Sequence, residues 1–199
     1  MNERTFHSSQ AHRLDEPERL QWLPPDEVLA QIPFENGVDV ADIGAGTGYF
    51  SIPIARVVGQ IGRVYAVDFQ REMLEKIRHK LDTLGSPSNV ELIEGDAART
   101  TLPVQSCDIV FMANIWHELD DHAAVLIEAA RVLRPGGFLV IVDWRQDLTD
   151  PPGPPTEHRV PSALVQLTLQ DGGWSIMNAT TVGLYSYLIL ATRGTSTHQ

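Results

Sequence analysis

The sequence predicts an α/β fold: an open, mostly parallel sheet with helices on both faces. Three observations predict it. Short apolar runs of five to seven residues alternate with helical stretches of about 10–15 residues, the rhythm of βα units joined by crossovers. The first apolar run ends in a glycine-rich turn, Gly44-Ala45-Gly46-Thr47-Gly48. The fourth run, Cys107-Asp108-Ile109-Val110-Phe111-Met112-Ala113, is nearly all apolar, as a strand covered on both faces must be.

In chain order, residues 1–25 are charged and lack periodicity, ahead of one domain expected over 26–199. Pro25 suits the start of a helix, with Asp26 and Glu27 in its first turn and Pro33 at its end. Val38–Ile43 reads as a strand and Thr47–Val58 as a helix bent by Pro53. Arg63–Asp68 is a second strand. Gln70–Leu84 follows with Met73, Leu74, Ile77, Leu81 and Leu84 at helical spacing and Gly85 as its C-terminal cap. Asn89–Glu94 and Cys107–Ala113 are further strands, and Asp120–Leu133 is a helix stopped by Pro135-Gly136-Gly137. Phe138–Val142 is the fifth strand. Asp147–Pro161 holds five of the 13 prolines and reads as a stiff loop. Pro161–Gly172 is a last helix, and Trp174–Thr180 and Leu184–Thr192 are two late strands.

Composition narrows the function classes. The chain has 199 residues, of which 43% are hydrophobic and 21% charged, with a net charge of −11. That excess of acid argues against nucleic acid as a partner, because phosphate neutralisation needs clustered Lys and Arg. The lone Cys107 cannot form an internal disulfide, a zinc site or an iron–sulfur cluster. No run of about 18 apolar residues is present, so no membrane span is expected. Met1–Glu18 has no apolar stretch, so it does not read as a signal peptide. A cytoplasmic protein with a small-molecule or protein partner is expected, and its oligomeric state is open.

Open parallel sheets bind ligands beyond the carboxyl ends of their strands. The glycine turn after the first strand allows close backbone approach and positive φ, and the following helix aims its amides there. A dinucleotide site wants G-x-G-x-x-G, whereas here Gly48 and Tyr49 give G-x-G-x-G. The departure favours a ligand without a pyrophosphate. Asp68 ends the second strand about 20 residues after Gly48, where an acid can bind a ribose diol. Asp96, in Gly95-Asp96-Ala97 after the third strand, either caps a turn or accepts from an adenine amine.

Taken in order, Val40-Ala41-Asp42-Ile43-Gly44-Ala45-Gly46-Thr47-Gly48, Tyr65-Ala66-Val67-Asp68, Glu94-Gly95-Asp96-Ala97 and Leu133-Arg134-Pro135-Gly136-Gly137 resemble the ordered motifs of class I S-adenosylmethionine-dependent methyltransferases. The resemblance spans about residues 25–193, and because members of the family often fold an N-terminal region over the cofactor, it implies that residues 1–25 form an N-terminal cover segment. It implies a Rossmann-like seven-stranded sheet in the order 3-2-1-4-5-7-6 with strand 7 antiparallel. It implies S-adenosyl-L-methionine as cofactor, with Gly44, Gly46 and Gly48 facing its methionine part, Asp42 its amino end, Asp68 the ribose, and Asp96 with Ala97 the adenine. Carboxylates suit a sulfonium cation that also carries an amine.

After the fourth strand, Asn114-Ile115-Trp116-His117-Glu118 looks like the corresponding region of the ubiquinone/menaquinone-biosynthesis type of small-molecule methyltransferase. By that likeness Asn114 would bind cofactor or acceptor, and His117 would act as a general base. The plainer alternative is that His117 and Glu118 begin a helix. Glu157, His158 and Arg159 are polar candidates in the proline-rich loop, and His12 and Trp22 in the N-terminal segment. Two other readings remain open: a non-catalytic protein that binds or senses the cofactor, and a nicotinamide-dependent dehydrogenase, which Tyr49 disfavours. No metal is expected at the site.

Overall fold

The computed structural model describes residues 6–83, 87–148 and 152–193. Gly85, expected as a helix cap, lies outside the described residues, as do 149–151 of the proline-rich loop. Seven strands form one sheet: β1 (Asp39–Ile43), β2 (Arg63–Asp68), β3 (Val90–Glu94), β4 (Cys107–Ala113), β5 (Leu133–Trp144), β6 (Trp174–Val182) and β7 (Ser186–Arg193). Their order is 3-2-1-4-5-7-6. The pairings from β3 across to β5 are parallel, and β7 runs antiparallel to both β5 and β6.

The alternation of side chains along the strands explains the two helical layers. Ala41, Ile43, Val110, Met112, Leu139 and Ile141 belong to one core cluster, with Val125, Leu126 and Ala129 of α5 (His122–Val132) and Val165 and Leu169 of α6 (Ser162–Asp171). Their neighbours Val40, Ile109, Phe111, Val140 and Val142 belong to another, with Val28 and Leu29 of α2 (Pro25–Leu29) and Ile54, Ala55 and Val58 of α3 (Ser51–Val58). Successive residues of a strand point to opposite faces, so a strand buried on both reads as one apolar run. Val64 is wholly buried in β2, and α4 (Arg71–Thr83) packs on β2 and β3 through Leu74 and Ile77.

Three local expectations are corrected. The helix after the glycine turn begins at Ser51, not Thr47, because Gly44, Gly46 and Gly48 all have positive φ and extend the turn. Pro53 therefore falls in the first helical turn, where an N–H has no partner within the helix and a proline is tolerated without a bend. Pro135-Gly136-Gly137 does not stop α5. The helix ends at Val132, Leu133 is already extended, and the three residues lie within β5. The register jumps there, Cys107 pairing with Leu133 and Ile109 with Phe138, and Gly136 adopts φ +82° in the bulge.

Residues without sequence periodicity form a 3-10 helix, Ser8–Asp15, and a one-turn helix, α1 (Arg19–Trp22). Long-range hydrogen bonds hold this segment down. The Ser8 N–H donates to Gln70 Oε1 (2.9 Å), and Gln70 Nε2 donates to the Phe6 carbonyl (2.8 Å). Lys80 Nζ bonds Asp15 Oδ1 at 2.6 Å, and the Tyr49 hydroxyl donates to the Leu23 carbonyl at 2.7 Å.

Candidate active site

The carboxyl ends of β1, β2, β4 and β5 open into one cavity of about 560 Å³, closed on the far side by the N-terminal segment and by Pro152–Pro155. Asp42, Gly44, Gly46, Asp68, Asn114 and His117 line it.

The turn after β1 is built for close approach. Gly44 sits at φ +72°, and its N–H and that of Ala45 donate to the Val67 carbonyl at 2.8 and 3.0 Å. A Cβ on Gly44 would stand 2.5 Å from Ile115 Cγ2, so a larger residue here must displace the Ile115 side chain as well as adopt positive φ. Gly48, at φ +80°, packs on Ile77 of α4 and is outside the cavity lining.

Asp68 is buried at the tip of β2. Its Oδ2 accepts from the Gly46 N–H and its Oδ1 from the Gln70 N–H, both at 2.8 Å. These bonds tie the acid to the glycine turn and leave each oxygen one lone pair. Burial raises the Asp68 pKa, and the two backbone donors oppose the rise. Asp42 is 2% exposed and accepts from the Ser51 hydroxyl at 2.5 Å. Burial pushes its carboxyl up to about 7 against that hydrogen bond, with the Asp68 charge adding to the rise.

Asn114 follows β4 with φ +58°, a left-handed conformation uncommon outside glycine. Its N–H donates to the Val142 carbonyl at 2.8 Å. Its side-chain Oδ1 is buried with no hydrogen-bond partner among the described residues. An unsatisfied buried acceptor costs free energy unless a ligand brings the donor.

His117 lies on a 3-10 turn, Trp116–Glu118, fixed by Trp116 stacking on His122 at 4.3 Å and by His122 Nε2 donating to the Trp116 carbonyl. Only 4% of His117 is exposed. Asp143, fully buried near the end of β5, accepts from the His117 ring at Nδ1 (2.8 Å) and from its backbone N–H (3.0 Å). Holding Nδ1–H leaves Nε2 as the ring's proton acceptor. Glu118 Oε1 lies 3.8 Å from Nε2, and Glu118 Oε2 accepts from the Phe6 N–H at 3.1 Å. Burial pulls the His117 pKa down, but Asp143 and Glu118 more than offset it and hold the ring above the ordinary histidine value. Burial pushes the Glu118 carboxyl up to about 7.

Some expected residues fall elsewhere. Asp96 is exposed and its carboxylate caps its own turn, accepting from the Ala98 N–H at 2.8 Å. Neither Asp96 nor Ala97 lines the cavity. Arg159 is a strut: its guanidinium donates to the carbonyls of Arg145, Pro152 and Pro154 and so shapes the loop. Glu157 and His158 are also outside the lining, as is His12, whereas Trp22 is part of it and packs on Trp144 at 5.1 Å. Sequence reasoning missed Asp143 as the partner of His117. Its acid at the end of the fifth strand was the only available signal. Arg19 and Gln70 also line the cavity, and nothing in their local sequence marks them.

Residues 41–141 match the family model described as a methyltransferase domain. The chain is 32% identical over 115 residues to the ubiquinone/menaquinone biosynthesis C-methyltransferase UbiE of Haemophilus ducreyi, covering 58% of this chain and 44% of that protein. It is 36% identical over 127 residues to the demethylmenaquinone methyltransferase of Listeria monocytogenes, covering 64% and 52%. The chain thus spans about half the length of these two relatives. A SAM dependent methyltransferase from Aquifex aeolicus superposes with a TM-score of 0.89 at 34% identity, covering 94% of this chain and 98% of that one. The [4+2]-cyclase SpnF shares the fold at 16% identity and a TM-score of 0.74, so the fold alone does not fix the reaction.

Proposed function

The chain belongs to the methyltransferase domain family, and on that premise we propose that it methylates a small-molecule acceptor by in-line displacement. S-adenosyl-L-methionine is the cofactor, and the residues present fit it. The cavity offers an orphaned acceptor at Asn114 and two buried acids, Asp42 and Asp68, to a ligand that is cationic and rich in donors. Asp68 takes the ribose hydroxyls, and Asp42 with Asn114 the amino end. Gly44 and Gly46 leave room for the methionine part. An adenine contact at Asp96 and Ala97 is supported by the motif resemblance. The cofactor, when bound, supplies a methyl group on a positively charged sulfur.

The chain's own contribution is alignment and one proton acceptor. Methyl transfer disperses charge that is already present, so proximity and orientation carry most of the acceleration. Asp143 orients the His117 ring, and Nε2 removes a proton from the acceptor as it attacks. Trp22, Trp144 and Pro152–Pro155 wall the cavity, and residues 6–25 cover it through the Phe6, Ser8 and Leu14 contacts. The observation that carries the reading is that the acids, the orphaned Asn114 oxygen and the His117–Asp143 pair share one cavity.

The names of the relatives point to a demethylmenaquinone-like ring, and a held histidine suits a ring bearing an ionisable hydroxyl. The acidic net charge supports an acceptor other than nucleic acid. Among the described residues no helix is long and apolar enough to cross a membrane. The test is a panel of phenols, quinols, amines and thiols incubated with methyl-labelled cofactor. Label should appear in a hydroxylated ring. Label in no acceptor, with the cofactor product still bound, would leave a non-catalytic cofactor-binding protein.

A further inference from the structure

One cavity-lining side chain carries a charge that no carboxylate among the described residues pairs with. Arg19, on the N-terminal segment, is only 5% exposed. Its Nη1 donates to the Leu14 carbonyl at 3.0 Å, and its Nε is buried without a hydrogen-bond partner. The guanidinium lies over the Tyr49 ring at 4.0 Å, with the Trp22 ring at 5.9 Å. Among the described residues no carboxylate forms an ion pair with it. The two acids whose charge reaches it are engaged elsewhere. Asp15 binds Lys80 and the Thr47 hydroxyl, and Asp42 binds the Ser51 hydroxyl. Burial draws its pKa down to about 10 against the opposing charges of Tyr49, Asp15 and Asp42.

A buried cation without an anion is retained at a cost to folding. The cost is recovered when a ligand delivers the anion, and a guanidinium fork is shaped for a carboxylate. The cofactor assigned above is cationic at sulfur and nitrogen and carries one anionic group, the carboxylate of its amino-acid arm. Asp42 and Arg19 thus offer the two signs of charge that a zwitterionic head needs. We propose that Arg19 binds the cofactor's amino-acid carboxylate, making the N-terminal segment part of the cofactor site. This inference rests on the cofactor reading of the cavity. It also gives the segment a reason to stay seated: a bound cofactor bridges the glycine turn of the domain to a side chain of the cover.

The test compares ligands with and without the carboxylate. S-adenosylhomocysteine, its decarboxylated analogue and 5′-methylthioadenosine, which lacks the whole amino-acid arm, are titrated into the full chain and into Arg19→Met. Wild type should bind S-adenosylhomocysteine about 10- to 100-fold more tightly than the decarboxylated analogue, the range of a charge-assisted hydrogen-bonded pair. Arg19→Met should lose that preference, weakening S-adenosylhomocysteine by the same factor and leaving methylthioadenosine unchanged. Without ligand the variant should melt at or above the wild-type temperature, since an unanswered buried charge has been removed; a merely structural arginine would lower it. Equal weakening of every ligand, or an unchanged preference, overturns the inference. So does a wild type that binds both homocysteine forms equally, a result that needs no variant to fold. An Arg19→Met protein with normal cofactor affinity and a raised KM for the acceptor would move the guanidinium to the acceptor and also overturn it. Wild type that binds none of the adenosyl ligands would remove the cofactor reading itself.

Discussion

Replacing Asp42 with Asn should make the cofactor-free protein more resistant to unfolding as pH rises. Asp42 is 2% exposed, keeps one side-chain hydrogen bond, from Ser51, and has a carboxyl pushed by burial up to about 7. A carboxyl raised in this way binds its proton more tightly folded than unfolded. Its ionisation therefore opposes folding from the unfolded pKa upward, and the effect levels off above the folded pKa. With the folded value at about 7, wild type should lose about 2–3 kcal/mol relative to Asp42→Asn between about pH 5 and pH 8, at 1.36 kcal/mol per tenfold difference in proton affinity. Asp68 and Glu118 also have raised values, but both proteins contain them, so they cancel to first order in the comparison. The assay is urea unfolding of both proteins at the two pH values, with equal m-values as the control for a common unfolded state. Parallel stabilities across the range would refute the reasoning. The same variant should bind the cofactor more weakly, because it has lost the anion facing the amino end.

Further outcomes follow from single contacts. Gly44→Ala combines φ +72° with a Cβ 2.5 Å from Ile115 Cγ2, so it should lose about 2–4 kcal/mol in stability, read as a lower melting temperature. His117→Ala should lower kcat about 100- to 10,000-fold for an acceptor that loses a proton, with cofactor affinity unchanged. The base must be neutral and its pKa is raised, so activity should climb with pH above the ordinary histidine value, and Asp143→Asn should move that climb to lower pH; a flat pH profile in wild type would contradict the base role. Arg134 bridges Asp39 of β1 and Asp108 of β4 at 2.8 and 2.7 Å, but it is 38% exposed, so Arg134→Met should cost about 1 kcal/mol or less by denaturation and leave cofactor binding intact.

The sheet was legible because its inner strands are apolar on both faces and end in residues that cannot continue a strand. β2 and β4 begin and end where their sequence indicates, and the order 3-2-1-4-5-7-6 follows from the motif resemblance. β5 was read too short because a bulge lets Pro135-Gly136-Gly137 sit within a strand, and pattern alone treats that tripeptide as a stop. The N-terminal segment was illegible as structure. A 3-10 helix has no amphipathic stripe of the α period, and this one is held by partners such as Gln70 and Lys80 far along the chain. At the site, Gly44, Gly46, Asp42, Asp68, Asn114 and His117 could be named because they stand at or just beyond the carboxyl ends of strands. Asp143 and Arg19 could not be given their partners, since a 26-residue separation from His117 and a stack on Tyr49 exist only after folding.

The central claim is that the cavity holds an adenosyl sulfonium cofactor, and thermal unfolding of the full chain with added ligand tests it most directly. S-adenosylhomocysteine at about 100 times its dissociation constant adds about 2.7 kcal/mol, which at this size raises the melting temperature by about 5–10 °C. NAD should leave it unchanged, and Asp68→Ala should abolish the rise. A melting temperature raised by NAD and unmoved by S-adenosylhomocysteine would contradict the account.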